Sequence, residues 1–206
     1  MCAWEVVRHA VAVSGFVTDL RTGKAIAGAR VEITSAPAAF TRWLALRRME
    51  TKAAWETIED CPDRRHTAPD GHFCFMDLPD GVYTLTASVP GMGSRYGMAQ
   101  SVVTVSMGAS GHLSMTTVVL SVPGTALEGI VTAQGRALPM AMVQVQGSGE
   151  RCFSNGEGKY RLIGLEVGSR TVIASAQGYK KRSLTVVLDQ AGALYTANFE
   201  LALASL

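Results

Sequence analysis

One stretch of this chain is written twice, and that repetition limits the possible folds more than any other feature. Residues 68–87 read APDGHFCFMDLPDGVYTLTA, and residues 157–174 read EGKYRLIGLEVGSRTVIA. Asp70-Gly71 and Leu78-Pro79-Asp80-Gly81 are turn signals, because glycine reaches positive φ without a Cβ clash and proline presets φ. Between and after them, Phe73 and Phe75 alternate with His72 and Cys74, and Tyr83, Leu85 and Ala87 alternate with Thr84 and Thr86. A period of two is the mark of a half-buried strand. The flanking sequence repeats in the same order. VSGFVTD from Val13 is matched by LEGIVTA from Leu127, Ala25–Ile33 by Ala137–Val145, and Arg64–Gly71 by Arg151–Gly158. The offset is 114 residues at Gly15/Gly129 but 87 at Gly71/Gly158, so the first copy holds about 27 extra residues between Ser35 and Arg64. Two tandem copies of one unit explain this most economically. Each copy carries about seven short strands with turns between them and no helix outside the extra segment, which predicts an all-β antiparallel sandwich. The expected domains are 1–123, with an insertion at 36–63, and 124–206.

The repeated residues resemble the carboxypeptidase regulatory-like domain. The first copy supplies Gly15, Val17, Gly23, Val31, Ile33, Asp70, Gly71, Phe73, Phe75, Leu78, Gly81, Tyr83, Leu85 and Gly91. The second supplies Gly129, Val131, Gly135, Val143, Val145, Gly158, Tyr160, Leu162, Leu165, Gly168, Val172 and Gly178. It departs from the first at Arg170, where the first has Tyr83, and at Glu157, where the first has Asp70. The resemblance implies two transthyretin-like, seven-stranded sandwiches and a non-catalytic module. It names no ligand, because the shared residues are fold residues.

Composition narrows the function classes. Charged residues make up 17% of the chain, against about 25% in typical domains. A net charge of +2 gives no field that would favour nucleic acid as a partner. A surface short of charge favours association, so other protein subunits are the expected partners. No apolar run approaches the ~20 residues of a membrane span. The start, MCAWEVVRH, lacks the long apolar run of a signal peptide, and a cytoplasmic location is expected, or a particle released without signal-dependent export. Cys2, Cys61, Cys74 and Cys152 share no CxxC spacing, which fits free thiols in a reducing compartment.

No constellation for catalysis or metal binding can be assembled, so no enzyme activity, cofactor or metal is expected. His9, His66, His72 and His112 show no HExxH or HxH spacing. His66 and His72 flank the Asp70-Gly71 turn and read as two surface histidines on adjacent strands. Asn155-Gly-Glu-Gly158 precedes a strand, so it lacks the helix N-terminus that would hold a phosphate. The aspartates of the first copy's loops do not form a D-x-D-x-D calcium loop.

The insertion, Ala36–Asp63, is the individual feature. It carries Phe40, Trp43, Leu44, Leu46, Met49, Trp55 and Ile58 with Arg42, Arg47, Arg48 and Lys52. Phe40, Trp43 and Leu44 fall at helical spacing, Pro37 suits a helix start and Cys61-Pro62 a stop, so a helix or helix-turn followed by a short strand at 55–59 is expected, with a long hairpin as the alternative. It either caps one end of its own sandwich, docks a partner, or offers aromatic platforms to a carbohydrate. Phe40, Trp43, Arg47, Arg48 and Trp55 are the candidate partner-binding residues, since aromatics and arginines dominate interface centres. A structural or adaptor role in a larger assembly is therefore expected, in a bacterial surface machine or a phage-tail-like contractile particle, with a carbohydrate-binding module as the alternative.

Overall fold

The alternation read from the sequence is present in the backbone and in burial alike. The structure, a computed structural model, describes residues 9–51, 55, 61–107 and 113–204. The chain divides into two compact units, 1–91 with 98–122, and 92–97 with 123–206.

The first unit contains β1 (Val11–Asp19), β2 (Arg30–Ser35), α1 (Ala38–Thr51), β3 (Arg64–His66), β4 (His72–Met76), β5 (Gly81–Ser88), β6 (Ala99–Met107), β7 (Leu113–Ser114) and β8 (Thr116–Val122). One sheet has the order β4-β1-β8 and the other β3-β2-β5-β6-β7. Val13, Val17, Phe73 and Phe75 from the first sheet, with Val31, Tyr83, Leu85 and Ala87 from the second, are all buried. The second unit contains β9 (Ala126–Ala133), β10 (Arg136–Ala137), β11 (Met142–Val145), β12 (Arg151–Phe153), β13 (Lys159–Ile163), β14 (Gly168–Ser175), β15 (Arg182–Leu188), β16 (Leu194–Thr196) and β17 (Phe199–Glu200). β9 joins β10, β13, β16 and β17 in one sheet, and the other has the order β12-β11-β14-β15. Its core is built on Leu127, Val131, Val143, Tyr160, Leu162, Val172 and Phe199.

The duplication extends to single hydrogen bonds. Val17 N–H donates to Gly71 O at 2.9 Å, and Val131 N–H to Gly158 O at 2.8 Å. Buried Thr67 and Ser154 occupy matching places. Each hydroxyl accepts from a backbone N–H, of Ala29 and Ala141 respectively, both at 2.9 Å. Each also donates to a carbonyl, of Ile26 at 2.7 Å and Leu138 at 2.6 Å. A buried hydroxyl with both roles filled clips the strand ends together, because leaving those groups unpaired would cost about 1–3 kcal/mol each. The departure at Tyr83/Arg170 is also accommodated. Tyr83 Oη donates to Pro79 O at 2.7 Å, and Arg170 Nε donates to Glu166 O at 3.0 Å from the equivalent position.

Two expectations need correction. The sheets are not antiparallel throughout: β1 pairs with β8 in parallel, and β9 pairs in parallel with β16 and β17. These strands are far apart in sequence, so no hairpin dictates their direction, and parallel pairing needs only a long crossover. The short pieces β7 and β10 and the split of β16 from β17 take each unit past seven strands. His66 and His72 also fall in different sheets. The Asp70-Gly71 turn carries the chain from one sheet to the other rather than closing a hairpin. Cys2, His112, Lys52 and Ile58 lie outside the described residues, as does the proposed 55–59 strand apart from Trp55, which is helical.

Candidate partner-binding site

The insertion turns into a helix immediately after β2. Pro37 leads into α1, where its fixed φ suits the first turn, and its carbonyl accepts the Thr41 N–H at 3.1 Å. Gly81, at φ +145°, sits directly beneath: a Cβ there would lie 2.2 Å from Pro37 Cγ. This close approach pins the start of α1 against the start of β5.

Two residues four apart, Phe40 and Leu44, form the inward face of the helix. Phe40 is only 4% exposed. Its ring meets Tyr83 edge-on, with centroids 5.8 Å apart and planes at 78°. Trp43 points outward at 42% exposure, tilted against Phe40 with centroids 5.8 Å apart. One turn on, the Arg47 guanidinium lies 5.7 Å from the Trp43 ring centroid, within cation–π range. Arg48 makes a separate pair, with its guanidinium 5.7 Å from the Trp55 centroid and its Nη2 2.6 Å from Asp63 Oδ2. The five predicted residues therefore divide into two groups. Phe40, Trp43 and Arg47 form one stack, Arg48 and Trp55 form another, and Phe40 faces the unit's own core.

A cleft of about 720 Å³ opens beside Phe40 and Trp43. Its far wall comes from Met76, Leu78, Pro79 and Met107, with His9, Arg65, Asp77 and Asp80 also lining it. Sequence reasoning missed this wall, because it is assembled from β4, the turn after it and the end of β6. Asp77 organises the turn. Its backbone has φ +57°, and its counterpart in the second unit is Gly164 at φ +69°. That correspondence was a readable signal of a left-handed turn position. The Asp77 carboxylate accepts the Ala10 N–H at 2.9 Å and pairs with His9 Nδ1. The Ala10 bond first, and then His9, hold its pKa below the ordinary aspartate value.

Tyr83 lies under Phe40. Burial, and secondarily the charge of Asp80, push its phenol up to about 12. Folding therefore favours the neutral phenol. The stability this contributes is complete below the ordinary value of 10 and is lost as pH rises through about 12. Urea unfolding at pH 8 and pH 11 is expected to show a larger alkaline loss for the native chain than for Tyr83→Phe. At pH 8 the variant should be about 1 kcal/mol less stable, for want of its bond to Pro79. Parallel pH profiles for the two proteins would refute the assignment.

The chemistry available elsewhere is sparse. Ser14 Oγ lies 2.9 Å from His72 Nε2, the spacing of a nucleophile and its base. The imidazole is held edge-on by Phe16 at 5.3 Å, and the pair sits on a strand face where the neighbouring backbone groups serve the β1/β4 ladder. An activated serine also needs an orienting acid and oxyanion donors, and no carboxylate hydrogen-bonds to this ring among the described residues. Burial pushes the Cys152 thiol up, away from the reactive thiolate. Among the described residues no three His, Cys, Asp or Glu side chains gather in a metal-holding group, and no helix is long and apolar enough to cross a membrane.

Comparison with solved structures gives distant likenesses of fold. The TIE protein of Bacillus anthracis is 14% identical, with a TM-score of 0.39 over 94% of this chain and 34% of that one. A type II cohesin–X-dockerin complex of Acetivibrio cellulolyticus is 15% identical, with a TM-score of 0.34 over 38% of this chain and 57% of that one. The chain thus spans about a third of the length of the first and rather more than half of the second. The shaft pilin SpaA of Lactobacillus rhamnosus GG is 13% identical, with a TM-score of 0.42 over 97% of this chain and 98% of that one. No curated protein matches the chain. The match in sequence is sharper: residues 126–202 fit the family model of the carboxypeptidase regulatory-like domain. Over residues 126–202, which hold β9 to β17 of the second unit, the chain is thus similar to the carboxypeptidase regulatory-like domain.

Proposed function

We propose that the chain is a non-catalytic module of a larger protein assembly and that the outer face of α1, with the adjoining cleft, engages a partner subunit. The make-up of α1 carries this reading. Of its 14 residues only Phe40 and Leu44 are buried, while Trp43, Leu46 and Met49 remain exposed beside Arg42 and Arg47. A helix serving only as a cap has no use for three large apolar side chains in water. Burying each against a partner would contribute about 1.5–3 kcal/mol, and Trp, Met and Arg are the residues that interface centres favour. The second unit builds the same sandwich without the insertion, so the fold does not require it. A bacterial surface machine or a phage-tail-like particle, assembled in the cytoplasm, is the kind of assembly this module would serve. The carbohydrate reading is weaker, because a sugar platform needs an open indole face. Here an arginine lies over each of Trp43 and Trp55.

The test is capture by the immobilised full chain against a Trp43→Ala/Met49→Ala variant, with bound subunits identified by mass spectrometry and polysaccharide binding measured in parallel. A stoichiometric protein retained by the native chain and lost by the variant, at an unchanged thermal midpoint, is expected. Tryptophan-dependent polysaccharide binding, or a variant that keeps every partner, overturns the proposal.

A further inference from the structure

The two units differ at one sheet edge. In the first unit, the outer edge of β6 is closed at one end by β7, with Ser106 opposite Ser114 and Met107 opposite Leu113. In the second, β15 occupies the equivalent place at the end of its sheet and pairs only with β14 among the described strands. The β14/β15 register runs from Gly168↔Leu188 to Ala174↔Arg182 with no bulge. From Ser183 to Leu188 the edge reads SLTVVL, with no charge, proline or glycine. Beyond Arg182 at its start, six successive uncharged residues on a regular edge are what monomeric β proteins avoid, by bulges, inward charges or covering segments.

The sequence on either side of this edge is self-complementary. Lys180 and Lys181 precede β15 and Asp189 follows it, and all three are exposed. A second copy could add its β15 antiparallel across a two-fold axis normal to the sheet. Such an axis keeps each side chain on its own face, so the numbers of two opposed residues must sum to an even value. Of the even registers, the one centred on Thr185 lays the strand over its whole length, with Arg182 opposite Leu188, Ser183 opposite Val187 and Leu184 opposite Val186. The same register sets Lys181 opposite Asp189 of the second copy, twice per pair. Shifting by two residues in either direction shortens the overlap and places Lys181 against Val187 or Ala191 instead. Greatest overlap and charge complementarity therefore coincide. Leu184 and Val186, partly buried against the core on the inward face, would extend that apolar face across the junction. We propose that β15 is a homodimerisation edge at which two copies of this chain join their four-stranded sheets, centred on Thr185 and bracketed by Lys181–Asp189 pairs. A closed isologous contact of this kind is self-limiting.

Sedimentation equilibrium of the full chain is expected to show a dimer. Thr185→Lys, which sets two like charges against each other at the centre, should give a monomer with an unchanged circular dichroism spectrum and melting midpoint. Lys181→Asp should weaken the dimer about tenfold by placing acid against acid, and the Lys181→Asp/Asp189→Lys exchange should restore it. The exchange also guards against misfolding, since restored association requires a folded strand. A native chain that is monomeric at tens of micromolar overturns the proposal. So does a dimer indifferent to Thr185→Lys, or one lost with Lys181→Asp and not recovered in the exchange.

Discussion

Replacing Gly129 by alanine is expected to destabilise the second unit by roughly 3 kcal/mol or more, beyond the usual range for an overpacked core. Gly129 lies in β9 opposite Tyr160 of β13. On its other side, Ala197 passes between β16 and β17, accepting the Tyr160 hydroxyl at 2.6 Å. A Cβ at position 129 would stand 1.8 Å from Ala197 O and 2.7 Å from Ala197 C. Both are backbone atoms, so relief requires the parallel strands to part. Gly15→Ala should act in the same direction with a smaller effect. There the nearest atoms are Val118 O at 2.3 Å and the tip of the Phe73 ring at 2.8 Å, and the ring can turn aside. Gly149→Ala is the control, since nothing lies within 4 Å of its Cβ position. Urea midpoints are the measurement. A Gly129→Ala protein as stable as Gly149→Ala would mean that β16 and β17 do not run alongside β9.

Phe75→Ala should cost about 3–5 kcal/mol, a large share of the 5–15 kcal/mol that holds a typical protein folded. Phe75 is fully buried in β4, its ring edge-on to Phe73 at 6.0 Å. It lies opposite Val13, also fully buried, so truncation leaves a cavity between layers that sheet geometry cannot close. Met76, its neighbour on the opposite face, is exposed, and Met76→Ala should change stability by less than about 0.5 kcal/mol. Thermal midpoints should separate the two by roughly 10 °C. Equal effects would show that the inward and outward faces of β4 are reversed.

These effects depend on information of two kinds. The faces of β4, β5, β13 and β14 could be read directly from the chain, because a strand's side chains alternate whatever it pairs with. Phe73, Phe75, Tyr83, Leu85, Tyr160 and Leu162 are buried as that alternation requires. Gly71 and Gly158 announced themselves in the same way and hold φ of +79° and +74°. The helical character of the insertion was likewise legible from Pro37 and the spacing of Phe40, Trp43 and Leu44.

What the chain did not disclose was everything that depends on which distant segment lies alongside. The parallel partners of β1 and β9, the separation of β3 from β4 into different sheets, and the wall of Met76, Leu78 and Met107 opposite Trp43 all arise from contacts between residues far apart in sequence. Local sequence therefore determined each strand, its faces, its turns and the duplication, because propensity and side-chain period act over a few residues. Tertiary structure alone decided the strand neighbours, the inward turn of Phe40 and the β15 edge that no other described strand pairs, because pairing free energy is shared between segments that no short-range pattern connects.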